Sequence, residues 1–113
     1  MGSAEDRRRH PRVDIRAEMQ AGVDEEPFAI HLLDLSESGA RFTCQHELTL
    51  NVSISINIDF YPVGFPIRSL ILWRRKMDDS GLYVYGCEFI NPTPGEAFLI
   101  RELVRTALKQ SPS

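Results

Sequence analysis

Apolar and polar residues alternate with a period of two along most of this chain. The alternation is strictest at Val52-Ser53-Ile54-Ser55-Ile56-Asn57-Ile58-Asp59-Phe60, which demands a β-strand with one dry and one wet face. Five further runs read as strands. Val13 to Ala21 places Val13, Ile15, Ala17, Met19 and Ala21 opposite four polar residues, and Phe28 to Leu35 follows after a turn at Gly22–Pro27. Ala40 to Cys44 returns from a loop at 34–39. Ile67 to Arg75 follows a turn at Tyr61–Gly64, and Leu82 to Ile90 follows a hairpin turn at Asp78-Asp79-Ser80-Gly81. The period then changes. Thr93-Pro94-Gly95-Glu96 is a capping box with proline at the first helical position. Ala97, Ile100, Val104, Ala107 and Leu108 recur at helical spacing behind it, and Lys109 suits the last turn. Six short strands and one helix predict an antiparallel barrel with a C-terminal helix over an open end or seam. The pattern by itself also admits a sandwich.

Composition narrows the class. A chain of 113 residues is one domain, with 42% hydrophobic and 26% charged residues, as in ordinary soluble proteins. The net charge of −3 excludes a general polyanion binder. No apolar run is long enough to span a bilayer, and the N-terminal arginines are not followed by an apolar stretch, so a cytoplasmic location is expected. Cys44 and Cys87 read as reduced thiols at small apolar positions, and His10, His31 and His46 lack metal-ligand spacing.

The positive charge is local. Arg7-Arg8-Arg9-His10-Pro11-Arg12 holds four guanidiniums in six residues. Pro11 forbids a helix through it and makes His10 extended, so Arg8 and Arg12 fall on one side. Like charges repel, and residues 1–12 are expected to form a flexible arm ahead of a barrel at 13–110. About one hairpin later comes Asp34-Leu35-Ser36-Glu37-Ser38-Gly39. Asp34 and Ser36 suit a turn in which side chains bond nearby backbone, and Gly39 is expected at a positive φ. Arg41 is either an outward strand residue or a phosphate contact. Guanidiniums fit phosphate oxygens and the O6/N7 edge of guanine, while a carboxylate accepts from guanine N1 and N2. The two stretches together suit an anionic, guanine-bearing ligand. A solvated basic tail and a nucleic-acid arm are the alternatives for the arginine run alone, and the chain lacks the aromatic-interleaved basic stripe of single-strand binders.

Arg8-xxx-Arg12 followed by Asp34-x-Ser36-x-x-Gly39 resembles the paired signature of PilZ domains, receptors for cyclic di-GMP, over most of the chain from Glu5 to Leu108. The resemblance implies an all-β fold, a six-stranded antiparallel barrel with a C-terminal helix. It implies that Arg8 and Arg12 grip guanine edges and phosphates of cyclic di-GMP. Asp34 would pair with guanine N1 and N2, and Ser36 with the backbone up to Gly39 would complete the cradle. Arg7 belongs to the doubled arginine common in the family, and Arg7 or Arg9 could serve a second stacked ligand. Gly86 matches a small residue frequent in the last strand, or marks a close strand approach. The chain is then expected to be a receptor or adaptor without a cofactor. It would order its arm on binding and signal to a protein partner, as a monomer or homodimer, without binding DNA or RNA and without inserting into a membrane. The alternative is a PilZ-like protein-interaction barrel that does not bind nucleotide. No metal cluster, activated nucleophile or phosphate-cradling Gly-rich loop supports an enzyme.

Overall fold

The computed structural model describes residues 12–23, 26–60 and 62–110. Six strands and one helix follow in order: β1 (Val13–Val23), β2 (Glu26–Leu35), β3 (Gly39–Cys44), β4 (Ser53–Phe60), β5 (Val63–Met77), β6 (Leu82–Phe89) and α1 (Pro94–Gln110). The strands close into an antiparallel barrel in the order β1-β2-β3-β6-β5-β4. The joining seam, β1 to β4, is the shortest ladder, from Gln20↔Asn57 to Gly22↔Ser55. The sandwich is thereby excluded. The expected arm at 1–12 lies outside the described residues except for Arg12.

The barrel fills as the alternation requires. Ile54, Ile56 and Ile58 of β4 point inward and are buried, while Ser53, Asn57 and Asp59 face out. Ile30, Leu32, Leu35, Phe42, Ile67, Ile71, Tyr85 and Phe89 meet them in one core. The strands run further than the sequence pattern indicates. Gly22 and Val23 pair with Pro27 and Glu26, so part of the expected first turn is strand. Gly64 pairs with Asp59, which starts β5 three residues after Phe60. β5 also continues to Met77, and its residues from Leu72 onward are exposed. The end of the β5–β6 hairpin therefore projects past the core. Its turn is held by Ser80 N–H donating to Asp78 Oδ1 at 2.8 Å, with Gly81 at φ 83°.

The capping box forms as predicted. Thr93 N–H donates to Glu96 Oε1 at 2.9 Å, and Glu96 N–H donates to Thr93 Oγ1 at 3.1 Å. The helix packs against β1 and β5 and sends Ile100 and Val104 into the barrel core. It thus covers the barrel from the side of β1 and β5.

One polar group inside the barrel fixes the loop between β3 and β4. The Tyr85 hydroxyl donates to the His46 carbonyl and accepts from Leu48 N–H, both at 2.7 Å. Its ring stacks on Phe42 with centroids 5.3 Å apart. Tyr85→Phe keeps the packing and takes the acceptor from the buried Leu48 N–H, while the His46 carbonyl keeps its contact from Cys44 Sγ at 3.5 Å. A loss of about 1–3 kcal/mol in urea-unfolding free energy is expected. A loss of a few tenths would show that the loop finds other partners.

Candidate functional site

Three register shifts interrupt the ladders, one between Asp14 and Ala17 of β1, and the two in β2 and β5 decide which side chains reach the outer face. In β2, Leu32 pairs with Phe42 and Asp34 with Arg41, so Leu33 is an extra residue against β3. In β5, Ile71 pairs with Cys87 and Trp73 with Gly86, so Leu72 is extra against β6. Each bulge reverses the inside–outside alternation. Without them Asp34 would lie on the Leu32 side and Trp73 on the Ile71 side, inside the barrel. With them, one outward row crosses five strands: Asp14, Asp34, Arg41, Gly86 and Trp73.

Asp34 is the centre of this row and is only 1% exposed. A buried carboxylate must be paired. Arg41 holds its Oδ2 with Nε at 2.6 Å and Nη2 at 2.5 Å. Arg12 lies on the other side, its Nε 3.6 Å from Oδ1. Oδ1 is buried and has no hydrogen bond among the described residues. Hydrogen bonding to Asp34 raises the Arg41 pKa above its ordinary value against the opposing effect of burial, and Asp14 adds to the rise. Arg41 is therefore an outward strand residue, as one of its two readings held, and its described partner is Asp34.

The turn after Asp34 is tied by Ser36. Its Oγ accepts from Ser38 N–H and Gly39 N–H, both at 3.2 Å, and its N–H donates to Gly39 O at 2.9 Å. Ser38 O in turn accepts from Phe89 N–H at 2.9 Å, which stitches the turn to the end of β6. Gly39 does not take a positive φ, contrary to expectation. It is needed for a close approach instead. A Cβ on Gly39 would lie 2.1 Å from the Cys87 carbonyl oxygen, inside any allowed contact. From the helix side, Arg101 Nε reaches Glu37 Oε1 at 3.3 Å.

The structure thus brings Arg12, Asp34 and Arg41 together and builds the adjacent turn from Ser36 and Gly39. Arg7 and Arg8, along with Arg9 and His10, lie outside the described residues. Sequence reasoning did not find Trp73 as a neighbour of this site, because the bulge at Leu72 carries no mark in the alternation. Gly86 was noted for a close approach, and it makes one: a Cβ there would lie 2.2 Å from Trp73 Nε1.

Cys44 and Cys87 are free and buried. Burial pushes the Cys87 thiol up to about 12, and burial also raises Cys44.

A family model described as PilZ domain matches residues 6–106. The fold is similar to several solved structures. One is the PilZ domain with c-di-GMP of YcgR from Escherichia coli, 17% identical, with 92% of this chain and 93% of that one covered and a TM-score of 0.70. The inhibitor of motility MotI/DgrA of Bacillus subtilis is 15% identical, with 98% and 58% covered and a TM-score of 0.72. The K. pneumonia MrkH–c-di-GMP complex is 15% identical, with 91% and 53% covered and a TM-score of 0.74. The chain spans little more than half the length of the latter two. A comparison with curated proteins finds no match.

Two outcomes test this geometry. Gly39→Ala forces β3 from β6 and is expected to cost about 1–3 kcal/mol, read as a lowered urea midpoint. An unchanged midpoint would refute the close approach. The second concerns pH. The folded Cys87 thiol stays protonated to about 12, whereas the unfolded one ionises near the ordinary thiol value of 9.0. The unfolded state then binds fewer protons, so stability falls as pH rises from about 9 towards 12. Unfolding curves at pH 8 and 10.5 should show a larger loss for wild type than for Cys87→Ala.

Proposed function

The chain belongs to the PilZ domain family, and we propose on that premise that it is a receptor for cyclic di-GMP. The observation that carries the reading is the Asp34 centre. A buried carboxylate is clamped by Arg41 through one oxygen, with its other oxygen turned to Arg12. That second oxygen accepts one donor of a guanine N1–H and N2–H edge, and the remaining lone-pair capacity of Oδ2 suits the other. Two of the neighbours named above also carry c-di-GMP in their descriptions, YcgR and MrkH.

Asp34 is covered in this state, so the guanine edge reaches Oδ1 only when Arg12 leaves it. Arg12 then turns its fork to the ligand, to a phosphate or to guanine O6/N7. By the spacing of the sequence, Arg8 joins it from the same side of an extended arm, and Arg7 adds a further cation. Binding is an exchange of partners in which the Arg12–Asp34 contact is replaced by two contacts to one ligand. Ser36 and Gly39 act through the shape of the turn, and Arg41 acts by holding Asp34 in its orientation. Arm residues 1–12 order over the ligand, and a protein partner reads the change; catalysis is not part of the function.

Calorimetric titration with cyclic di-GMP, with GTP and cyclic di-AMP as controls, tests the reading. Selective binding is expected, weakened about tenfold to a hundredfold in Arg8→Ala, Arg12→Ala and Asp34→Asn. Wild-type affinity in all three variants would remove the site assignment. Absence of binding by folded wild type would move the reading to a barrel that docks a protein partner without nucleotide.

A further inference from the structure

β5 outruns one of its two neighbours. On the β4 side its ladder ends at Ser53↔Leu70, and its last backbone bonds there join Ile71 to Asn51 and Val52. Asn51 has a φ of 62°, and this left-handed residue turns the chain off the strand. On the β6 side pairing continues to Met77↔Leu82. Residues 72–77 therefore have β6 on one flank and, among the described residues, no strand on the other. All six are exposed. A closed barrel abolishes its edges, and this one reopens an edge for about 20 Å.

The register fixes which backbone groups face the opening. Phe89 N–H donates to Ser38 O, on the β3 side, and the β3–β6 ladder runs without a shift. Alternate residues of an antiparallel strand bond to opposite neighbours. Val84 and Leu82 therefore face β5, where their partners are Arg75 and Met77. Arg74 and Lys76 are left with N–H and C=O turned to the open flank. The loop from β3 to β4 reaches this region on the inner face, where Leu48 O accepts from Arg74 Nη1 at 3.1 Å.

The side chains decide what can use the edge. Arg74, Arg75 and Lys76 stand together on it, and only Arg74 has a carboxylate partner among the described residues, Glu47 Oε2 at 3.4 Å. Two copies pairing antiparallel through this edge would set the three cations of one against those of the other, and like charges directly opposite are destabilising. Arg74 and Lys76 share the face of their partners Tyr85 and Tyr83, whereas Arg75 and Met77 lie on the other. An added strand thus meets two cations on one face and a cation beside an apolar side chain on the other.

We propose that the β5 edge from Leu72 to Met77 is a docking site for an extended segment of a partner protein, one that adds to the barrel as a strand and alternates acidic with apolar residues. Backbone bonds at Arg74 and Lys76 supply affinity, and the cations select the partner and exclude a second copy. The surface needs no bound nucleotide, so its test is independent of the receptor reading.

Amide hydrogen exchange with a capped Val-Glu repeat peptide of about eight residues tests it. In the free chain the amides of Arg74 and Lys76 should exchange fast and those of Arg75 and Met77 slowly. Slow exchange at Arg74 and Lys76 would show the edge to be covered already and would overturn the proposal. The Val-Glu peptide should slow both amides, and a matched Val-Lys peptide should not. Lys76→Pro suits an edge strand, because no internal bond uses that N–H. It should weaken peptide binding about tenfold relative to Lys76→Gln. Arg75→Glu should weaken it about two- to tenfold. Equal protection by both peptides, or by neither, would sink the acidic partner. A dimer that protects the same two amides as concentration rises would replace it with a second copy.

Discussion

The site depends on one electrostatic constraint: a carboxylate has been taken almost wholly out of water at Asp34. Such burial costs several kcal/mol unless the charge is met at close range. Arg41 meets it with two guanidinium nitrogens on one oxygen. That pair can form only because both residues face outward on adjacent strands at one register position. They share it because Leu33 is extruded from the β2–β3 ladder. A regular β2 would carry Asp34 into a core of Leu32, Leu35 and Phe42, where no cation is available.

The rest of the neighbourhood fixes what the pair leaves free. Ser36 gathers the amides of Ser38 and Gly39, and Phe89 takes the carbonyl of Ser38. The turn is therefore pinned at both its own ends and to β6. Gly39 permits β3 to lie against the Cys87 carbonyl, which draws Arg41 alongside Gly86. Glu37 is the turn residue that touches α1, through Arg101. An exposed ion pair of this kind contributes little to stability. Its effect is one of placement: it connects the turn to a helix whose Ile100 and Val104 are anchored in the core.

Much of the fold was legible in the chain. The Ile54-Ile56-Ile58 alternation needs only a period of two, and the Thr93–Glu96 box needs only local hydrogen bonds. Both formed as read. The strand ends were less legible. Gly22, Pro27 and Gly64 look like turn residues, but the hairpins are tighter than the pattern suggests, and Gly22 pairs with Pro27 and Gly64 with Asp59 inside their ladders. The bulges were invisible for another reason, since an extra residue in one strand is defined only against its neighbour. That hid Trp73, which simple alternation assigns to the interior with Ile71. Gly39 was correctly marked as special for the wrong reason. A loop glycine suggests a left-handed turn, and only the approach of β6 reveals a steric one. Asp34 and Arg12 stood out because charged residues beside an apolar run are conspicuous, whereas Arg41 required the register to become a clamp.

The same geometry sets a limit on how tightly such a site can hold an anion. The row is nearly self-neutralising: Asp14 and Asp34 stand against Arg12 and Arg41. On the receptor reading, a ligand that takes Arg12 from Asp34 replaces contacts Arg12 already makes, so the net gain is less than the gross strength of the new bond. The cost is moderated by the poor quality of the contact given up, which at 3.6 Å is an ion pair with an oxygen lacking any hydrogen bond among the described residues. Arg41 cannot be exchanged in this way, because releasing it would leave a buried carboxylate with its best partner gone. The two arginines around one carboxylate are thus unequal by construction: Arg41 holds it through two nitrogens at hydrogen-bond distance, whereas the Arg12 Nε stands 3.6 Å away.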